Sequence, residues 1–218
     1  MSGGSLPAAE AQGLPRPSRV VLIDRADGGL GRAIATRLVQ AGWPVYAGAS
    51  DPAPLEALRE LGCYTPRLDL DDPSARRALV AHIEGQHGAV GVLVELEPLP
   101  EDREPPHGAR PACILPDGSR CSALAEALLP AMQAQAWGRL VRIVGSPDRR
   151  ARRRMPRPEA RSGNASGIAS IRIECRMDGP AASADAAARL CLRAIEARQP
   201  RRRYRVPRVT LRGLGRRG

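Results

Sequence analysis

Residues 20–35, VVLIDRADGGLGRAIA, constrain the fold more tightly than any other stretch of the chain. Val20, Val21, Leu22 and Ile23 form a continuous apolar run, the pattern of a strand buried on both faces. Gly28, Gly29 and Gly31 interrupt it, and Leu30, Ile34, Leu38 and Ala41 then recur near helical spacing until Gly42, where a helix would stop. A buried strand, a Gly-rich turn and an amphipathic helix in this order predict the first unit of a parallel sheet, whose strands need helical crossovers. Glycines in such a turn let backbone amides approach a phosphate, and the helix N-terminus faces the negative charge.

The rhythm repeats. Pro44 turns the chain into a second strand at 45–47, followed by a short helix at 55–61, a strand at 64–68 and a helix at 73–84. In that helix Ala75, Leu79, Val80 and Ile83 share one face, with Arg76 and Arg77 pointing away. A fourth strand is predicted at 90–94, a Pro-rich surface loop at 98–120, a helix at 123–136 interrupted at Pro130, and a fifth strand at 140–144. Further on, residues 171–177 alternate apolar and charged positions. Arg172, Glu174 and Arg176 would share a strand face that cannot be buried unpaired. Ala184, Ala187, Ala188, Cys191, Leu192 and Ile195 mark a last helix.

These units predict a single α/β domain, a Rossmann-like doubly wound parallel sheet that is incomplete in its C-terminal half. Residues 1–18 are expected to form a flexible tail, 19–146 the nucleotide-binding core, and 147–168 an Arg-rich linker. Residues 169–206 supply a residual strand and helix of the same domain, and 207–218 a basic tail. No run approaches the roughly 18 apolar residues of a membrane span, and residues 1–18 lack a secretory pattern. A cytoplasmic protein with no membrane partner is expected. Cys63, Cys113, Cys121, Cys175 and Cys191 are odd in number and show no C-x-x-C spacing, which argues for free thiols and against a metal site.

Basic charge is carried wholly by arginine, since the chain contains no Lys. Residues 1–147 hold 14 Arg against 17 acids, and residues 148–218 hold 20 Arg against 6. Such asymmetry suggests a polyanion or nucleic-acid contact through the clusters at 149–161 and 201–217. Aromatic residues that would stack on bases are nearly absent.

The first turn resembles that of the short-chain dehydrogenase/reductase family, T-G-x-x-x-G-x-G. It reads Asp24, Arg25, Ala26, Asp27, Gly28, Gly29, Leu30, Gly31, so two of the family's three glycines are kept. Leu68, Asp69, Leu70, Asp71 and Asp72 are similar to the family's L-D-V-T-D. Residues 129–132 and 138–141 are similar to its L-P-x-M and G-R-I-V. The resemblance implies an NAD or NADP site formed by Gly29, Leu30, Gly31, Ser50 and Asp69. Ser50 stands where the family selects between the two cofactors, and Asp69 where an Asp lies near the adenine. Departures weaken that site: Arg25 replaces a turn glycine and is expected to strain the turn or to occupy the phosphate space. Glu95 and Glu97 stand in place of the N-N-A-G that supports the nicotinamide side.

The catalytic half is the part that fails to match. By the register of residues 138–141, the family's catalytic Ser falls on Gly145, and Ser146 is one residue late. The family's Tyr-x-x-x-Lys pair, whose Tyr is the general acid and base at the substrate carbonyl, has no counterpart. Tyr46 and Tyr64 fall in early strands and Tyr204 in the strongly basic stretch from 200 to 218. His82 is expected on the polar side of its helix, His87 in a turn and His107 in the Pro-rich loop. Together these features imply a catalytically inactive homologue that binds a dinucleotide weakly, or acts as a homo-oligomer or partner subunit. The alternatives are an active carbonyl reductase or alcohol dehydrogenase using a displaced Ser146, and polyanion binding through the Arg clusters.

Overall fold

A computed structural model describes residues 17–96, 122–145, 167–175 and 181–206. Apolar runs become strands where both faces can be covered: β1 (Val21–Ile23), β2 (Val45–Ala47) and β3 (Val92–Leu96) are buried at every position. With β4 (Gly138–Gly145), β5 (Ile168–Cys175) and β6 (Arg203–Arg205) they form one sheet in the order β2-β1-β3-β4-β5-β6, parallel throughout. Outside β2, residues 64–67 add two isolated parallel bridges, Tyr46 to Tyr64 and Ala49 to Arg67. The strand expected at 64–68 is only this, because Pro66 between the bridges has no N–H to donate. Counting that edge, the topology is the doubly wound one, reversing direction between β1 and β3.

Helices cover both faces. On one side lie α1 (Gly29–Gln40), α2 (Glu56–Glu60) and α5 (Ala181–Glu196), burying Ile34, Leu38, Leu58, Cys191 and Ile195 against Val21, Val94, Ile143 and Ile173. On the other side α3 (Pro73–His87) and α4 (Ala123–Ala134) bury Leu79, Ile83, Leu128 and Met132 against Leu22, Tyr46, Leu93, Leu140 and Ile168. Leu79, Val80 and Ile83 form the buried face of α3 as their spacing predicts. Asp72 caps that helix by accepting from the Ser74 N–H, and Ser122 caps α4 through the Ala125 N–H. Pro130 sits inside α4 on its exposed side. Gly42, at φ +76°, follows α1 at its predicted stop.

In the C-terminal half of the sheet β4 and β5 pair over eight residues, and the Arg-rich stretch after α5 contributes the short strand β6. Tyr204 belongs to that strand, packs on the α1/α5 side, and its hydroxyl accepts the Arg201 N–H. The Pro-rich loop, the Arg-rich linker and both predicted tails lie wholly or almost wholly outside the described residues. No helix among the described residues is long and apolar enough to cross a membrane.

Candidate functional site

Parallel register aligns the C-terminal ends of the strands. Ile23 lies opposite both Ala47 and Val94, the Gly48 N–H donates to the Ile23 carbonyl at 2.8 Å, and the Leu68 N–H donates to the Ala49 carbonyl at 2.8 Å. The turn after β1, Ser50 after β2, Asp69 after the edge segment and the end of β3 therefore share one rim of the sheet. This crevice at the point of strand reversal is where open α/β sheets bind ligands.

The turn is built around two glycines with different jobs. A Cβ on Gly31 would fall 2.2 Å from the Arg25 carbonyl oxygen, so only glycine lets α1 sit this close to the turn. A Cβ on Gly29, the first residue of α1, would meet nothing within 4 Å. Its backbone is thus approachable from solvent at the positive end of the helix dipole. Leu30, the second residue of α1, is half-buried and packs against the core. At Arg25 the backbone carries no strain, since Ala136 alone has a positive φ among the described non-glycine residues. The expected strain of the turn is absent because the chain passes Arg25 in a conformation any residue adopts.

Asp24 is the buried acid of this rim. Its Oδ1 accepts the Leu96 N–H at 2.9 Å, and its own N–H donates to the Val94 carbonyl at 3.1 Å, tying the turn to β3. Burial pushes its carboxyl from 3.8 up to about 7, Glu95 adding to the rise against the Leu96 hydrogen bond. Asp27 is exposed.

Ser50 and Asp69 are both exposed at the rim. Asp69 Oδ1 accepts the Asp71 N–H at 2.9 Å, forming a local turn before α3. β3 runs two residues further than its apolar pattern predicts, so Glu95 lies within the ladder and its carboxylate pairs with Arg142 at 3.7 Å. A neutralised carboxylate can stay there, and it opposes a dinucleotide less than the sequence implies. Ser146, Glu97 and His107 fall outside the described residues; Gly145 ends β4 opposite Cys175.

All three tyrosines lie away from this rim. Tyr46 faces α3, its hydroxyl 3.0 Å from both Gln86 Oε1 and His87 Nε2 in the last turn of that helix. Tyr64 stacks on Tyr46 with ring centroids 4.5 Å apart. Because α3 returns the chain to the start of β3, this cluster sits at the opposite edge of the sheet. His87, read from the sequence as a turn residue, is the last residue of α3 and contacts the Tyr46 hydroxyl. His82 is exposed, as predicted.

A second constellation escaped the sequence. Strand register sets Glu95, Arg142, Arg172 and Arg203 side by side on β3, β4, β5 and β6. One step on, the Glu174 carboxylate, only 1% exposed, takes Arg203 on Oε1 and Arg205 Nε on Oε2 at 2.9 Å. The alternation at 171–177 signals this charged face, but Arg203 and Arg205, read as part of the basic cluster at 201–217, hide its partners.

Residues 19–96 match the family model for short chain dehydrogenases. No curated protein matches the sequence. Among solved structures, a short-chain dehydrogenase from Streptomyces avermitilis superposes with a TM-score of 0.60 at 17% identity, covering 88% of this chain and 89% of that one. A metagenomic short-chain oxidoreductase in complex with NADP gives a TM-score of 0.57 at 19% identity, over 88% and 98% of the two chains. A short-chain dehydrogenase/reductase family oxidoreductase from Burkholderia thailandensis gives 0.57 at 18%, over 87% and 91%. At these identities the likeness is one of fold.

Proposed function

We propose, from the match of residues 19–96 to the family model for short chain dehydrogenases, that the protein binds a nicotinamide dinucleotide weakly at the β1–α1 turn and is impaired in hydride transfer. The observation that carries the binding half is the pair of glycines at the start of α1, open at Gly29 and closed at Gly31. These residues fit the pyrophosphate: an approachable backbone at a helix N-terminus, beside an Asp24 carboxyl that is only partly ionised near neutral pH. Ser50 and Asp69 would meet the adenosine side of NAD or NADP. The NADP held by the metagenomic relative makes NADP the first cofactor to test.

A bound nicotinamide would supply or accept the hydride. The chain would still have to deliver a proton to the substrate oxygen, and a general acid contributes about 10²–10⁴-fold to such a step. No Lys exists in the sequence, and the three tyrosines sit in the body or at the opposite edge of the sheet. Reduced nicotinamide incubated with a panel of ketones and aldehydes should show no protein-dependent loss of absorbance. Turnover that tracks the protein and vanishes in Ser146→Ala would replace this reading with the displaced-serine enzyme.

Contact with polyanions through the clusters at 149–161 and 201–217 is a second reading; a groove between α1 and α5 adds Arg37, Arg189 and Arg193, although Asp185 pairs with the first two and Glu196 also lines it. Heparin affinity should then fall steeply with salt and drop in an Arg37→Gln, Arg193→Gln double variant. Retention unchanged in that variant removes this groove from the reading.

A further inference from the structure

The face of the sheet that carries α3 and α4 changes character along β4 and β5. Leu140 and Ile168 close its apolar core, and the next outward positions on the same face include Arg142, Arg172 and Glu174. Like charges on neighbouring strands repel unless they are neutralised. Among the described residues of this patch, four guanidinium groups, Arg142, Arg172, Arg203 and Arg205, meet two carboxylates, Glu95 and Glu174.

The neutralisation is uneven. Glu95 serves Arg142, and both oxygens of Glu174 are engaged by Arg203 and Arg205. Arg172 reaches Glu174 Oε1 only at 4.0 Å from its Nε, and that Nε is buried without a hydrogen bond. Its side chain is 34% exposed, so the group is accessible from one side while its inner nitrogen lacks an acceptor. The buried Nε is closed to solvent, so an incoming acceptor would meet the terminal N–H groups on the exposed side of the guanidinium.

We propose that Arg172 and Arg205, flanked by Arg142, form a site for a small oxyanion, a phosphate or a carboxylate, on this face of β4–β6. Planar guanidinium groups on adjacent strands suit the paired oxygens of such anions, which accept two parallel N–H bonds from one arginine. The site stands on the strand register and does not depend on dinucleotide binding.

The test uses the full-length chain without dinucleotide, titrated calorimetrically with inorganic phosphate and, separately, with malonate, chloride replacing each at equal ionic strength. Saturable binding of either anion supports the site, and the better binder identifies the source of the oxyanion. Arg172→Gln should weaken binding about tenfold or more, the scale of one charged hydrogen-bonding partner. Arg172→Lys, which keeps the charge without the fork, should fall between, and Arg59→Gln, at an exposed position on α2, should bind like the parent. If Arg172→Gln does not fold, the Lys variant decides alone. Absence of saturable heat with both anions, or affinity unchanged in the Arg172 variants, overturns the proposal.

Discussion

Asp24 carries the clearest residue-scale consequence. Its carboxyl titrates at about 7 in the folded chain against 3.8 in the open one. Between those values the folded protein holds a proton that the unfolded chain releases. Stability is therefore greatest below the lower value and is lost as pH rises through the higher one. Asp24→Asn, which keeps an acceptor for the Leu96 N–H, should flatten that loss and stabilise the protein by on the order of a few kcal/mol at about pH 8. Urea unfolding at about pH 5 and about pH 8 measures it; a parent chain that becomes more stable relative to the variant on going to high pH contradicts it. The glycines give a paired prediction. Gly31→Ala forces a Cβ against the Arg25 carbonyl and should cost about 1–3 kcal/mol, whereas Gly29→Ala should leave stability nearly unchanged and weaken dinucleotide binding. Equal thermal shifts in the two variants would show that the turn is not packed as described. The sequence made the glycines legible as a motif but could not assign their separate tasks, because clearance around a missing Cβ belongs to the fold.

At the scale of elements, Glu174 holds β6 to β5. Glu174→Gln leaves Arg203 and Arg205 without their shared carboxylate, and removing one partner of a buried pair typically costs about 3–5 kcal/mol. Hydrogen exchange should report the largest loss of protection at the β5–β6 ladder; uniform loss over the whole sheet would mean that the pair acts globally. β1, α1, α3 and α5 were legible because their apolar periodicity is strong and the core reads the same pattern. β6 was not, since RYR between basic residues has no apolar signal, and its place in the sheet comes from Glu174 and from Tyr204 packing on the α1/α5 core. The end of β3 was misread for a related reason: Glu95 looks like a loop residue until Arg142 on the neighbouring strand pairs with it.

Over the whole molecule, two regions of the sheet stand apart. The rim between β1, β2 and the edge segment has the arrangement of a strand-reversal crevice, while the face over β4–β6 carries charge where an apolar sheet surface would continue. The fold was readable because repeated βα units dictate a parallel sheet, and the candidate cofactor residues because they follow strand ends. The charged face was not, since it exists only once four distant segments are placed side by side. In the proposed function the crevice takes a dinucleotide weakly. Calorimetric titration of the full-length protein with NADP and with NAD tests it most directly. Saturable binding weaker than about 1 μM, lost or reduced further in Gly29→Ala, is the predicted result. Submicromolar binding, or no saturable heat at millimolar concentration of either cofactor, would contradict it.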